Sequence, residues 1–271
     1  MQFAINPITN VNYDFESSVN AYHQAGISAM EIWFDRLDAF LDGREIGVAA
    51  DFLAEKNMTL ASSICAVQIM LRDITAAGDD FVEFKRRLAI TRDLNCPTLL
   101  FIPDNPDEPD RNVYGICEKN LKKAAEVAAD HGVKLALEFL QGNKLCGTLN
   151  TAKRLVRNVD HPNLGLLIDL SHQWMDRSDL DDIADLTADE LLIVHVDDMV
   201  KGPPEALIDH DRTFPGEGRG IDHSIIPAIQ ATGYDGYWSL EIFNHDIWKQ
   251  PLDDIVAASL RSFKYMQQRY G

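Results

Sequence analysis

The sequence predicts an α/β protein built as a single (β/α)8 TIM barrel, and three observations support this prediction. Short apolar segments alternate with amphipathic segments of helical periodicity along the chain, a pattern typical of parallel sheets with helical crossovers. Eight such pairs follow one another within 271 residues, which is a usual size for this barrel. No glycine-rich dinucleotide-binding turn follows the first strand, which disfavours an open doubly wound sheet.

The first half of the chain contains four strand–helix pairs. The strands are predicted at residues 2–6, 28–34, 58–65 and 96–103. The helices that follow them are predicted at residues 14–26, about 43–57, 79–95 and 113–132. In the first helix, Phe15, Val19 and Tyr22 recur at helical spacing, and Gly26 provides a stop.

The second half contains four more pairs. The strands are predicted at residues 133–139, 164–170, 191–198 and 236–243. The helices are predicted at residues 148–159, 178–186, 222–233 and 252–270. The long loop after the seventh strand contains "GEGRG", which lacks the dinucleotide-binding spacing and is interpreted as a bend. Since no linker or low-complexity segment interrupts the alternation, one domain over residues 1–271 is expected.

Composition limits the partners and the cellular location. Acidic residues number 43 against 25 basic ones, and the formal net charge of −18 repels nucleic acids and anionic membranes. We therefore expect no nucleic-acid or membrane partner. The four cysteines form no Cys-x-x-Cys pair, and the N-terminus resembles no secretory leader. These features favour a cytoplasmic protein with reduced thiols, and they leave a homo-oligomer open.

Four ligand-type residues end four consecutive predicted strands. Glu138, Asp169, His195 and Glu241 end the fifth, sixth, seventh and eighth strands. In "KLALEF", Ala136 shares a face with Glu138, and the leucines share the other face. The acidic face is therefore expected to point into the barrel. Active sites of such barrels lie at the carboxyl ends of the strands.

Three clustered carboxylates repel one another strongly at low dielectric. A cation among them would remove this repulsion, and an oxygen-rich set with one imidazole suits Mn²⁺, Mg²⁺, Co²⁺ or Zn²⁺. The sequence therefore predicts one divalent metal ion bound by Glu138, Asp169, His195 and Glu241. A lone acid at a strand end would more often be a salt-bridged structural residue, so the joint pattern carries the prediction.

Four further residues are predicted to contact a substrate. His172 follows Asp169 by three residues, and Arg212 lies in the long loop after the seventh strand. A guanidinium can bind substrate oxygens in a forked geometry, although Arg212 could instead brace the loop by pairing with Asp211 or Glu217. Asn6 and Glu31, on the first two strands, could hydrogen-bond a polyol.

Five motifs, in this order, carry a resemblance to a known family: "LALEF", "GLLIDLSHQ", "VHVDD", "DRTFPGEGRGID" and "GYDGYWSLEIFN". The chain resembles the xylose isomerase-like TIM barrels, also called the sugar phosphate isomerase/epimerase family, and within it the inosose (2-keto-myo-inositol) isomerases. The resemblance runs through about residues 133 to 260 and is weak before them. It implies the same metal quartet, catalysis by Glu138 and Glu241, and substrate contacts by His172 and Arg212.

The resemblance implies a metal-dependent isomerase or epimerase of a keto-inositol or ketose, working through an enediolate. In that mechanism, Glu138 or Glu241 removes a proton beside the carbonyl, and one of them returns it. Inosose and 3-dehydroshikimate dehydratases share the scaffold, so elimination with His172 as the acid is the alternative. The ketose 3-epimerases carry a second glutamate shortly after the first, where this chain reads "LQGNK".

Two hypotheses lie outside this class. Apurinic endonucleases share the barrel, but they use three zinc ions and more histidines, whereas this chain has Thr213 where "DRH" would be expected. The negative charge also opposes that function. A non-catalytic sugar-binding protein on the same barrel is the second, and the intact ligand quartet argues against it.

Overall fold

Eight parallel strands form a closed barrel in the computed structural model, which describes residues 1–65, 67–73, 75, 78–176 and 179–271. The barrel strands are β1 (Gln2–Ile5), β2 (Ala29–Ile32), β3 (Thr59–Cys65), β4 (Thr98–Phe101), β5 (Lys134–Glu138), β6 (Leu164–Asp169), β7 (Leu191–Val196) and β10 (Tyr237–Leu240). Two short strands, β8 (Asp198–Met199) and β9 (Arg212–Thr213), lie between β7 and β10. The order around the barrel is β1-β10-β7-β6-β5-β4-β3-β2, which confirms the predicted fold.

The helices surround the barrel. They are α1 (Phe15–Ala25), α2 (Phe34–Leu41), α3 (Gly47–Glu55), α4 (Asp79–Asp93), α5 (Val113–Asp130), α6 (Leu149–Val159), α7 (Leu170–Met175), α8 (Asp181–Ala184), α9 (Asp222–Ala231) and α10 (Leu252–Tyr270). The predicted helix at 178–186 is reduced to α8, and residues 177 and 178 lie outside the described part of the chain.

Two helices that the sequence reading missed begin directly after strands. In α2, Phe34, Leu37 and Leu41 are buried at helical spacing, so this segment is amphipathic despite its short length. In α7, the Asp169 side chain accepts a hydrogen bond from the His172 backbone N–H and caps the helix. The cap converts what was expected to be a loop into a helical turn at the barrel mouth.

The predicted alternation of side chains along the strands is confirmed. A small cluster fills the barrel interior: Ala4, Ala29, Ala61, Leu100, Ala136, Leu167 and Ile193. Leu135 and Leu137, on the opposite face of β5, belong to the larger cluster between the barrel and the helices. Because side chains alternate along a strand, Glu138 shares the inward direction of Ala136.

The loop after β7 is organised by a buried carboxylate. β8 and β9 pair in antiparallel fashion, and Asp198 accepts hydrogen bonds from the backbone N–H groups of Gly218 and Gly220. A Cβ at Gly218 would lie 2.6 Å from Asp198 Cγ, so a side chain does not fit there. The "GEGRG" bend therefore wraps around Asp198, and β9 carries Arg212 next to the barrel mouth.

The described residues contain no helix long and apolar enough to cross a membrane. All four cysteines are buried, and none forms a disulfide in the described part of the chain. Burial raises the pKa of the Cys96 thiol to about 12, which keeps this thiol protonated and unreactive at neutral pH.

Candidate metal centre and active-site cavity

Four buried side chains meet at the carboxyl end of the barrel. Glu138 and Asp169 are the last residues of β5 and β6, His195 lies in β7, and Glu241 follows β10 directly. One ligand atom from each lies within 4.8 Å of the others. Asp169 and His195 are register partners on adjacent strands. The structure thus brings together the quartet that the sequence singled out, and these residues could hold a metal ion.

The orientation of the His195 ring fits a cation in this position. Its Nδ1 atom lies 3.1 Å from Glu241, 3.6 Å from Glu138 and 3.9 Å from Asp169. Nevertheless, no atom among the described residues is aligned to hydrogen-bond with Nδ1. A buried polar atom without a partner is costly. A metal ion bound by Nδ1 and the three carboxylates would satisfy it.

The charges of the quartet also fit a cation. Burial alone would lower the pKa of His195, but the negative charges of Glu241 and Glu31 outweigh this effect and raise it well above the usual value. Burial raises the pKa of Glu241 to about 7. Metal-free, the site thus holds extra protons to offset its carboxylates. A divalent ion would displace these protons, since metal ligands bind in their deprotonated forms.

Asp169 connects the quartet to two predicted substrate-binding residues. One carboxylate oxygen accepts from the His172 backbone N–H at 2.9 Å. The other accepts from Arg212 Nη1 at 2.5 Å. Burial alone would raise the pKa of Asp169, but the charges of Arg212, His172 and His195 outweigh it and hold that pKa below its usual range. Asp169 therefore stays ionised and available as a ligand.

Arg212 is fully buried among four carboxylates. Its Nη1 also donates to Asp197 at 2.7 Å and to Glu241 at 3.2 Å. Nε and Nη2 donate to the same oxygen of Asp209, at 2.8 and 2.6 Å. The alternative prediction was that Arg212 pairs with Asp211 or Glu217 and braces the loop. The salt bridges of Arg212 in the described residues are with other carboxylates, because its guanidinium points inward to the quartet.

Asp197 is a site residue that the sequence reading missed. It is fully buried, and its carboxylate contacts only one cation, Arg212, among the described residues. Burial and the nearby charge of Asp169 raise the pKa of Asp197 well above the usual value. The sequence could have indicated this residue, because Asp197 lies two residues after His195 and therefore shares its face of the chain.

Asn6 and Glu31 are fully buried and contact site residues. The Asn6 Nδ2 group donates to Glu241 at 3.0 Å. Glu31 accepts hydrogen bonds from the Ser62 and Ser239 hydroxyls, and it lies 3.3 Å from His195 Nε2. Neither is among the described residues that line the cavity. Their expected contact with substrate remains a prediction.

A cavity of about 420 Å³ opens at Glu138 and Glu241 of the quartet, and its volume is in the range of small-molecule sites. Its apolar lining is Trp33, Ile64, Leu100, Ile102, Leu140, Met175 and Phe243. Its polar lining is Glu138, Gln141, His172, Asp209, Arg212 and Glu241. The cavity therefore offers both glutamates, His172 and Arg212 to a bound molecule. The Arg212 guanidinium lies 5.0 Å from the centre of the Phe243 ring.

Curated relatives of the chain are enzymes. The inosose isomerase of Halalkalibacterium halodurans is 26% identical over 245 residues, which cover 89% of this chain and 85% of that protein. The 3-dehydroshikimate dehydratase of Pseudomonas putida is 31% identical over 156 residues, which cover 55% of this chain and 24% of that protein. The two relatives catalyse different reactions.

Solved structures confirm the architecture. The crystal structure of IOLI protein with a binding zinc atom superimposes with a TM-score of 0.91 at 21% identity, and the match covers 100% of this chain and 99% of that one. A family model described as the xylose isomerase-like TIM barrel matches residues 19–266. The chain belongs to the xylose isomerase-like TIM barrel family.

Proposed function

We propose that the protein is a divalent-metal-dependent isomerase or epimerase of an uncharged keto-polyol, a keto-inositol or a ketose, that works through an enediolate. The metal would be held by Glu138, Asp169, His195 and Glu241. When bound, a divalent ion supplies Lewis acidity that stabilises the negative charge of the enediolate. The inosose isomerase relatives and the zinc atom named for IOLI support this proposal.

The two glutamates are the candidate acid and base. β5 and β10 are three positions apart around the barrel, so Glu138 and Glu241 reach the cavity from different sides. Glu241 is held by hydrogen bonds from Asn6 and Arg212. Glu138 contacts His195 and the open cavity. One carboxylate can therefore take the proton from the carbon beside the carbonyl while the other returns it.

The proposal of an uncharged substrate is based on the charges of the side chains that line the cavity. Arg212 is the one cationic side chain among the described lining residues, and its nitrogens already donate to Asp169, Asp197 and Asp209. A phosphate or carboxylate group needs charge-assisted donors such as a free guanidinium. This observation favours a neutral keto-polyol over an acidic substrate such as 3-dehydroshikimate.

Dehydration is a second candidate function, and one observation favours it. His172 lines the cavity, and no partner for its Nδ1 atom is found in the described residues. An imidazole in that position can donate a proton to a departing hydroxyl group. The similarity to the 3-dehydroshikimate dehydratase of Pseudomonas putida is in line with this alternative.

The test is solvent-deuterium exchange. Protein loaded with Mn²⁺, Co²⁺ or Zn²⁺ is incubated in D₂O with keto-inositols, ketoses, their phosphates and 3-dehydroshikimate, and the products are read by NMR. We expect deuterium beside the carbonyl of an uncharged substrate, reversible formation of an isomer, and no exchange with Asp169→Asn. Loss of water with a growing enone absorbance would identify a dehydratase. Turnover of only phosphorylated or acidic substrates would contradict the proposed specificity.

A further inference from the structure

Glu31 occupies the barrel interior beneath the quartet. It is fully buried and lies on β2, three positions around the barrel from β7, which carries His195. Its side chain crosses the barrel, and its carboxylate oxygens lie 3.2 and 3.3 Å from His195 Nε2. A carboxylate buried this deeply needs hydrogen-bonding or charged partners that offset its desolvation.

Three polar groups surround the Glu31 carboxylate. Ser62 of β3 donates to one oxygen and Ser239 of β10 donates to the other. The His195 Nε2 atom, 3.2 and 3.3 Å from the two oxygens, is the third. Both oxygens of Glu31 therefore accept hydrogen bonds from serine hydroxyls, and both face Nε2 of His195.

The geometry has a consequence for the His195 tautomer. A neutral imidazole carries one N–H, and the other nitrogen offers a lone pair. Nε2 faces the Glu31 carboxylate, which accepts and does not donate. Nδ1 faces Glu138, Asp169 and Glu241. A neutral ring with its proton on Nε2 thus presents the Nδ1 lone pair to the carboxylates.

We propose that Glu31 is a positioning residue that holds the His195 ring and its Nε2–H tautomer, so that Nδ1 is the atom presented to a metal, and that Ser62 and Ser239 hold Glu31. This inference rests on the metal-dependent function proposed above. Carboxylates that accept from a ligating imidazole fix its orientation, and removing them typically weakens metal binding 10- to 100-fold.

The test compares Glu31→Gln with a matched control. Ser63 is buried on the same strand as Ser62, but its hydroxyl bonds with Thr91, so Ser63→Ala removes a buried hydroxyl without touching Glu31. We expect Glu31→Gln to keep the wild-type circular dichroism and to weaken Zn²⁺ binding about 10- to 100-fold in a chelator competition. Ser63→Ala should bind Zn²⁺ like the wild type.

A nitrogen-15 NMR spectrum of ring-labelled histidine in the zinc-loaded protein gives a second readout. The wild type should show Nε2 of His195 protonated and Nδ1 bound to the metal, and Glu31→Gln should lose the protected Nε2–H signal. If Glu31→Gln does not fold, the Ser62→Ala/Ser239→Ala double variant replaces it and should weaken binding in the same direction.

Three outcomes would overturn the inference. They are wild-type zinc affinity in Glu31→Gln or in the double variant, a metal bound through Nε2, and no metal binding by the wild type. The proposed function fails separately: a wild type that binds zinc through Nδ1 but exchanges no substrate proton would contradict the isomerase assignment and leave the role of Glu31 intact.

Discussion

At the scale of single residues, the two histidines of the site differ in what surrounds them. His195 lies between Glu31 and the three carboxylates of the quartet. His172 lines the cavity, and its Nε2 atom is 3.4 Å from Arg212 Nη2. The two histidines can therefore have separable roles, because one faces the carboxylates of the quartet and the other faces the cavity.

This difference predicts that only one of the two histidines is needed for metal binding. His172→Ala should keep the metal and lose turnover by roughly 10²-fold or more, the usual scale for a positioned acid or base. His195→Ala should lose both, because it removes a ligand atom. Elemental analysis and steady-state kinetics of the two variants check this, and equal loss of metal would show that His172 is assigned the wrong role.

Arg212 allows a test of the buried ion-pair network. Arg212→Ala leaves Asp197 buried without its cation and removes the nearest cation from Asp169, so the free energy of unfolding should fall by about 3–5 kcal/mol. The control is Arg157→Ala, which removes a partly exposed arginine paired with Asp185 and Glu190 and should cost about 1 kcal/mol or less. Urea unfolding with chelator present measures both, and equal losses would contradict the network.

At the scale of elements, the strands were predictable and some connections were not. The alternation in "KLALEF" placed Glu138 on the inner face of β5, as the structure shows. The short helix α7 was missed because it depends on a cap supplied by Asp169. The role of "GEGRG" was also missed, because it wraps around a carboxylate about 20 residues earlier in the chain.

Two glycine substitutions test the loop that carries Arg212. Gly218→Ala places a Cβ against Asp198 and the Met199 carbonyl, and we expect a loss of about 1–3 kcal/mol together with reduced turnover. Gly115 lies in the first turn of α5, and a new Cβ there would have no described atom within 4 Å apart from its chain neighbours and the backbone of its own helix. Gly115→Ala should therefore stabilise the protein by about 0.5–1 kcal/mol. Thermal unfolding compares them; a neutral Gly218→Ala would contradict the close packing.

At the scale of the whole molecule, the fold and the clustering of Glu138, Asp169, His195 and Glu241 could be predicted from periodicity and from the strand ends. Consecutive strands of a barrel bring their carboxyl ends to one rim, so the proximity of these residues could be inferred without distances. Contacts between residues on opposite sides of the barrel could not be inferred from the sequence. The Glu31–His195 pair joins β2 to β7, and Arg212 reaches the quartet from a loop, so both depend on three-dimensional spacing that local sequence does not encode.

The pH dependence of stability is a property of the whole metal-free protein. The pKa of Glu241 is raised to about 7 and that of His195 well above 6.5, so the folded state holds protons that the unfolded state releases. Stability should therefore fall as pH rises from about 5 to 7 because of Glu241, and above about 6.5 because of His195, by up to about 1.4 kcal/mol per pH unit for each group within its own range. Urea unfolding with chelator at several pH values measures this slope, and stability that rises with pH over this range would contradict it.

The most direct measurement is anomalous diffraction at the zinc edge from crystals of the zinc-loaded protein. We expect one zinc peak per chain, bonded to His195 Nδ1 and to the carboxylates of Glu138, Asp169 and Glu241 at about 2.0–2.2 Å. A peak bonded to other residues, or no peak at the quartet, would contradict the assignment of this site as the metal centre.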